Sequence, residues 1–258
     1  MISERSCPSV IYKSGLSGLA NRILVKALYP RADLILANAQ GNAEDLVRNF
    51  CCDAAKTKVL YNAVDLAAIK TLANEPLEGK FKPFFLNIGR LDSGKNQAML
   101  IKIIANLNDE HATLGILGKG PLQGELQNLI DELGVSSRVK LLGTDKNPFK
   151  FIKNAQCFVC ASRFEGFSNV LLEALACERF IISTDHKSGA RELLGDDGYG
   201  ILTPVDDEKA MESAMRRALE DENLRRDYEK RAYGRVIKFD KNAVAAQLIG
   251  YLEGENGE

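Results

Sequence analysis

The chain has 258 residues, with 34 basic and 35 acidic side chains and a net charge of −1. A hydrophobic content of 45% and a charged content of 27% are typical of a globular protein of one or two domains. The balanced charge gives no general attraction to nucleic acid, and no apolar run approaches the roughly 18 residues that a bilayer span requires. Residues 1–5 lack the apolar core of a signal peptide, so we expect a cytoplasmic location.

Residues 1–61 carry too few elements for an independent parallel domain. Helical patterns cover 18–29 and a segment that begins near Asn42, and apolar runs at 32–38 and 58–61 predict strands. We interpret this part as the end of an incomplete Rossmann-like domain. The polar segment 62–82 is predicted to be a linker.

Between residues 83 and 238, short apolar runs alternate with helical patterns, which predicts an α/β fold with a Rossmann-like parallel sheet and helices on both faces. The predicted strands are 84–89, 112–118, 139–143, 157–162, 180–184 and 200–205. The predicted helices are 96–107, 122–133, 148–154, 169–177, 190–194, 207–220 and 222–238. Residues 239–258 add a closing helix, at 242–252, and an acidic tail.

A glycine loop at 89–96 follows the first strand of this sheet. It almost matches a phosphate-binding P-loop, but Asn96 stands where the magnesium-binding hydroxyl residue belongs. Hydrolysis of a nucleoside triphosphate is therefore disfavoured. A glycine turn that lets Arg90 and Lys95 neutralise a diphosphate is favoured over a pair of solvated cations.

A second glycine loop, at 118–124, also follows a strand and opens a helix. Its third glycine comes one residue late for the dinucleotide-binding pattern, which disfavours a nicotinamide enzyme. We expect Gly118 and Gly120 to line a nucleotide crevice.

The segment 165–173 is the most informative part of the sequence. Glu165 ends a loop after a predicted strand, and Glu173 lies one turn inside a helix that starts near Ser168 or Asn169. A helix start offers free N–H groups and a positive dipole end to a phosphate. The neighbours of Glu173 are apolar, so its carboxylate is predicted to be buried and to need a partner such as ligand hydroxyls.

Cys157 and Cys160 have the spacing of a redox or zinc pair. No second pair of cysteines or histidines completes a metal site, and positions three apart in a strand point to opposite faces. We therefore predict buried structural cysteines and no metal site.

Together these residues resemble the nucleotide-sugar-binding half of glycosyltransferase family 4, the retaining enzymes with the GT-B fold. The resemblance runs from about residue 32 to 220, and its most specific part is the pair of glutamates with Arg90 and Lys95 upstream. It implies transfer of a sugar from a nucleotide-diphosphate donor, a UDP-sugar, to a glycan or polyprenyl-linked acceptor with retention of configuration. It also implies that no cofactor or metal is required.

The resemblance implies catalytic roles for Arg90, Lys95 and Glu165, the two cations stabilising the leaving nucleotide and the carboxylate lying near the donor sugar. Glu173 would accept hydrogen bonds from the ribose. Asn169 and Val170 would donate backbone N–H groups to phosphate, and Asn147 lies in a loop that would border the base. The other implied donor-binding residues are Gly89, Gly118, Gly120, Gly166, Phe167 and Ser168.

The sequence departs from the family pattern at its front. A complete N-terminal domain with a glycine-rich loop and a histidine is expected there, and neither His111 nor His186 falls at that position. His111 is predicted to be structural, whereas His186 is a candidate for bordering the donor sugar. The alternative interpretation is an inactive or partner-dependent nucleotide-binding module left by truncation.

A basic cluster precedes residue 32, where a single acidic residue accompanies five cations: Arg5, Lys13, Arg22, Lys26 and Arg31. A cluster of this kind is either a solvated face or a docking face for anionic lipid. In the family that the sequence resembles, this side often meets an anionic membrane. An anionic membrane surface is therefore a candidate partner, with a position peripheral to the inner face of the membrane, and a solvated face is the alternative.

Overall fold

The structure is a computed structural model, and it describes residues 1–12, 15–77, 79, 81–186 and 188–254. Within these residues the chain forms two parallel β-sheets, one of three strands and one of six. Helices pack on both faces of the larger sheet. The predicted α/β class is therefore confirmed.

The first sheet has the strand order β1-β2-β3 and is built by residues 1–59. Its elements are β1 (Ile2–Glu4), α1 (Pro8–Ile11), α2 (Gly15–Leu28), β2 (Ile35–Ala37), α3 (Gln40–Phe50) and β3 (Thr57–Val59). Val25, Leu46 and Phe50 pack with β2 in a small core. The sequence did not predict β1 or α1, which have only three and four residues.

The predicted linker 62–82 contains a helix, α4 (Leu66–Ala73). Asp65 caps it by accepting a hydrogen bond from the N–H of Ala68 at 3.0 Å, and Ile69 packs into a core of the larger sheet. This helix was missed because the polar residues around it dominate the pattern.

The larger sheet has the order β6-β5-β4-β7-β8-β9. Its strands are β4 (Phe85–Ile88), β5 (Leu114–Leu117), β6 (Val139–Gly143), β7 (Cys157–Cys160), β8 (Phe180–Thr184) and β9 (Ile201–Thr203). Its helices are α5 (Gln97–Asn106), α6 (Gln123–Glu132), α7 (Phe149–Asn154), α8 (Asn169–Ala176), α9 (Ala190–Leu194), α10 (Glu208–Glu220), α11 (Glu222–Val236) and α12 (Lys241–Glu253). Short 3-10 helices lie at Tyr29–Arg31 and Ile237–Phe239.

Strand β4 shows why the sheet needs cover on both sides. Phe85 belongs to the core on one face and Leu86 to the core on the other, and both are fully buried. Burying a side chain of this size contributes roughly 1.5–3 kcal/mol. A continuous apolar strand is therefore stable only between two helical layers.

The strand order reverses between β4 and β7, since the chain adds β5 and β6 on one side and then β8 and β9 on the other. Ligands of open α/β sheets bind at such a switch point, beyond the carboxyl ends of the strands. The loops that leave β4 and β7 carry residues 89–96 and 161–168, so the fold brings two of the predicted motifs together.

The two sheets contact each other through backbone and side-chain hydrogen bonds. Asn42 donates from Nδ2 to the carbonyl of Gly166 at 3.0 Å, and Glu192 accepts the backbone N–H of Gln40 at 2.6 Å. Helix α12 returns to the first sheet, where the hydroxyl of Tyr251 donates to the carbonyl of Val59 at 3.0 Å. These contacts hold the first sheet against the switch point of the second.

Candidate active site

The loop from β4 to α5 is shaped by close backbone contacts. Asp92 Oδ1 accepts the N–H groups of Gly94 and Lys95 at 3.0 and 3.2 Å. The second glycine loop presses directly on this one, since a Cβ atom on Gly118 would lie 1.9 Å from the carbonyl oxygen of Gly89. Gly118 is therefore required by the contact between the two loops.

Lys95 and Glu165 form the central contact of the site. Lys95 Nζ lies 2.8 Å from Glu165 Oε1, with the two side chains 24% and 11% exposed. The same carboxylate oxygen accepts a hydrogen bond from Ser162 Oγ at 2.8 Å. Two of the three predicted catalytic residues are thus brought together across the switch point.

Arg90 is placed differently. Its side chain is 72% exposed and lies 3.7 Å from Asp92. Such an exposed pair is weak, so the guanidinium is free to turn toward an arriving anion.

Cys160 and His186 extend the site into the protein interior. Ligand atoms of Cys160, Glu165 and His186 all lie within 4.8 Å of one another. Burial raises the pKa of the Cys160 thiol and lowers the pKa of His186, so both groups are neutral at pH 7. These are the residues that could hold a metal ion, but the ammonium group of Lys95 competes for the carboxylate oxygen that the ion would need.

Glu173 is the isolated carboxyl of the site. It is largely buried on α8, and burial raises its pKa from the usual 4.5 to about 7. Within the described part of the chain, no hydrogen bond or ion pair reaches its carboxyl group. The burial predicted from its apolar neighbours is present, and the partner it needs is not supplied by the protein.

Helix α8 begins at Asn169, as predicted, with Ser168 at the N-cap position. The hydroxyl of Ser168 is buried and has no hydrogen-bond partner among the described residues. Phe167 is buried against Tyr61, at a ring separation of 5.6 Å, and Val170 packs at the edge of the core beneath the helix.

A polar cavity of about 380 Å³ opens between the first sheet and α8. Glu173 and Asn169 line one side, and Arg5, Asn38 and Asn62 line the other. Arg5 and Asn62 were not among the predicted ligand-binding residues, because nothing in the sequence shows that residues so far upstream reach α8.

Two predicted residues are used by the protein itself. The amide of Asn147 donates to the carbonyl of Leu72 and to Glu75 Oε2, both at 2.8 Å, so this side chain joins its loop to the end of α4. A Cβ atom on Gly120 would lie 2.3 Å from the carbonyl oxygen of Leu91. The sequence alone could not reveal these internal contacts.

Two parallel sheets thus face each other across a polar cleft, and a cation and a carboxylate lie at the switch point of the larger sheet. This arrangement is the GT-B class of fold. The sequence profile of the family described as glycosyl transferases group 1 matches residues 69–235. The chain belongs to this family of glycosyltransferases.

Relatives in sequence support the assignment. An N-acetylgalactosamine-N,N'-diacetylbacillosaminyl-diphospho-undecaprenol 4-alpha-N-acetylgalactosaminyltransferase of Campylobacter jejuni is 48% identical over 98% of this chain and 69% of its own length. A phosphatidyl-myo-inositol mannosyltransferase of Mycolicibacterium smegmatis is 30% identical over 83% of this chain and 56% of its own length.

Solved structures agree on the fold. The Anabaena protein Alr3699/HepE, solved in complex with UDP, superposes with a TM-score of 0.85 at 23% identity, covering 98% of this chain and 72% of its own. Among the described residues, no helix has the length and hydropathy of a membrane span.

Proposed function

We propose that this glycosyltransferase belongs to family 4 and transfers a hexosyl or N-acetylhexosaminyl group from a UDP-sugar to a polyprenyl-diphosphate-linked glycan, with retention of configuration. The observation that carries the proposal is the Lys95–Glu165 pair at the switch point, together with Glu173 on the next helix, whose carboxyl group has no partner among the described residues. The name of the Campylobacter relative includes a diphospho-undecaprenol acceptor, and the Anabaena structure contains UDP.

The electrostatics fit the departure of a nucleoside diphosphate. Negative charge grows on the leaving group in the transition state, and preorganised cations stabilise it there. Lys95 is held in place by Glu165 at 2.8 Å, whereas the exposed Arg90 can close over the diphosphate as it binds. The backbone N–H groups at the start of α8 add a partial positive charge. The scheme requires no metal or cofactor.

Glu165 and Glu173 then recognise hydroxyl groups. Glu165 Oε1 is occupied by Lys95 and Ser162, so its other oxygen atom would accept a hydroxyl of the donor sugar. Glu173 would ionise when two ribose hydroxyls donate to it, since hydrogen bonds to a carboxylate lower its pKa. The ribose would thus supply the partner that no described residue provides.

A peripheral attachment to an anionic membrane belongs to the same proposal. Helix α2 exposes Leu16, Leu19 and Ile23 by 89%, 58% and 59%, and it also carries Arg22 and Lys26. An amphipathic basic helix of this kind lies in the lipid interface. Of the other three predicted cations, Arg31 ends the 3-10 helix that follows α2, Arg5 lines the polar cavity, and Lys13 lies outside the described residues.

The test is turnover of UDP-sugars with a lipid-linked acceptor by wild type, Arg90→Ala and Glu173→Ala. Arg226→Ala is a matched control, since its guanidinium pairs with Glu222 on the exposed face of α11. We expect turnover to fall at least tenfold in the first two variants and not in the control. Unchanged turnover in both would contradict the proposal, and UDP binding without turnover would favour a nucleotide-binding module.

Membrane attachment is tested separately by co-sedimentation with vesicles that contain or lack phosphatidylglycerol. Wild type should bind the anionic vesicles more strongly, and Leu16→Ser should bind both kinds less. Equal binding of wild type to the two kinds of vesicle would contradict an electrostatic contribution.

A further inference from the structure

We propose that Arg5 binds a phosphate group of a diphosphate substrate in the cavity that it shares with Glu173. The inference rests on the proposed function and extends it, because it assigns part of the substrate site to the first sheet. Arg5 lies outside the two glycine loops and outside the segment 165–173, which together supply most of the other proposed substrate-binding residues.

The strand geometry separates Arg5 from its acidic neighbour. Glu4 ends β1 and is 8% exposed. Its carboxylate accepts the N–H of Ser6 at 2.9 Å and the hydroxyl of Tyr29 at 3.0 Å. Because successive residues of an extended chain point to opposite sides, this carboxylate lies away from the cavity and does not neutralise Arg5.

The backbone of Arg5 is fixed against the catalytic loop. Asn38 Nδ2 donates to the carbonyl of Arg5 at 3.2 Å, and a Cβ atom on Gly166 would lie 2.7 Å from that same oxygen. Arg5 therefore sits directly beside the loop that carries Glu165.

Two hydrogen bonds connect the Arg5 side chain to the start of α8. Its Nη2 donates to Asn62 Oδ1 at 2.8 Å, and Asn62 Nδ2 donates to Asn169 Oδ1 at 2.6 Å. The guanidinium is thus directed across the cleft to the helix that carries Glu173. Most of its five N–H groups are still available to a ligand.

The charged groups that line the cavity determine which kind of ligand it can bind. Among the described residues, no carboxylate lies within 4.0 Å of the Arg5 guanidinium, and Glu173 has no cation beside it. A volume of about 380 Å³ is in the range of small-molecule sites. A ligand that satisfies both groups offers hydroxyls to the carboxyl and an anion to the guanidinium, which is the chemistry of a sugar phosphate.

The phosphate has two possible sources, the diphosphate of the nucleotide donor and the diphosphate of the lipid-linked acceptor. Both present the same oxygen atoms to a guanidinium fork. Kinetics with each substrate varied separately distinguish them.

The experiment compares wild type, Arg5→Gln and Arg5→Lys, with Arg48→Gln as a control, since this exposed arginine pairs only with Glu44 along α3 among the described residues. Calorimetry measures the affinity for UDP and for inorganic pyrophosphate, and initial rates give the KM of each substrate. We expect Arg5→Gln to lose about tenfold or more in affinity for pyrophosphate, since hydrogen bonds to charged groups contribute about 1.5–3 kcal/mol. Arg5→Lys should retain part of the affinity for pyrophosphate, because the positive charge is kept while the two-pronged hydrogen bonding of the guanidinium is lost.

If the donor is the source, UDP affinity falls and the donor KM rises while the acceptor KM is unchanged. If the acceptor is the source, its KM rises for a diphosphate-linked glycan and not for the same glycan without phosphate. Wild-type affinity for pyrophosphate together with wild-type KM values in Arg5→Gln would overturn the inference. Pyrophosphate binding needs no turnover, so a chain that binds it through Arg5 but transfers no sugar would refute the proposed function alone.

Discussion

Replacing Glu173 by glutamine should remove a pH-dependent cost from the folding free energy of the protein. Burial raises the pKa of Glu173 from 4.5 to about 7, so the folded protein holds this proton more tightly than the unfolded chain does. The cost of ionising the group is absent below pH 4.5 and fully present above pH 7. At about 1.36 kcal/mol per pH unit, that cost is roughly 3 kcal/mol at pH 8.

The assay is urea unfolding of wild type and Glu173→Gln at intervals between pH 5 and pH 8. Between pH 5 and pH 8 the wild type should lose roughly 2.5 kcal/mol relative to the variant, since part of the cost is already present at pH 5, and other titrating groups cancel in this difference. Glu44→Gln is a control, since this carboxylate is 44% exposed on α3. Parallel curves for wild type and Glu173→Gln would show that Glu173 ionises without cost, and the burial argument would then be wrong.

The same substitution should weaken nucleotide binding. A carboxylate that accepts two ribose hydroxyls gives hydrogen bonds of about 1.5–3 kcal/mol each, so Glu173→Gln should bind UDP at least tenfold more weakly. Wild-type affinity should also rise from pH 6 to pH 8, because the ligand selects the ionised form, and the variant should show no such rise. Calorimetry at the two pH values measures both effects.

Three other substitutions test how the site is held in place. Arg163 donates from Nη1 to the carbonyl of Ser93 at 2.6 Å, and from Nε to Asp206, which also accepts from Asn96. Because these bonds join its loop to the 89–96 loop, Arg163→Ala should lower kcat about tenfold with little change in the urea midpoint; an unaltered kcat would contradict this positioning role. Gly120→Ala places a Cβ atom 2.3 Å from the carbonyl oxygen of Leu91 and should destabilise the protein by about 1–3 kcal/mol in urea unfolding. Asp65→Ala removes the cap of α4 and should cost about 1 kcal/mol, whereas Asp65→Asn should retain the cap, and equal losses in the two would refute capping.

The larger sheet could be predicted because its strands are continuous apolar runs. β6 and β8 have the predicted bounds, β7 starts as predicted and ends two residues early, and β4, β5 and β9 differ by one to two residues at each end. β1 has only three residues, Ile-Ser-Glu, and is stabilised by pairing with β2 through the register Glu4↔Ala37. Neither the pairing nor the contacts of α4 are visible in a local pattern, since both depend on residues far apart in the chain.

In the site, too, features that depend on neighbouring residues could be predicted, and contacts between distant residues could not. Burial of Glu173 follows from its own helix, so its perturbed pKa could be anticipated. The approach of Cys160 to His186 and of Arg5 to Asn62 depends on how strands are ordered and how the two sheets meet. The loop after β4 meets the loop after β7 at the switch point because β7 lies beside β4 in the sheet. The sequence does not reveal this strand order, and the contact between Lys95 and Glu165 depends on it.

That contact changes what the two charged residues do. Separately, Lys95 was expected to bind diphosphate and Glu165 to lie near the sugar, but at 2.8 Å each is the other's partner. Burying either charge without a partner would destabilise the fold. The pair gives each of the two charges a partner at the switch point. A diphosphate can then share the ammonium group while the carboxylate stays oriented by Ser162, so binding adds negative charge to a site whose cation is already in place.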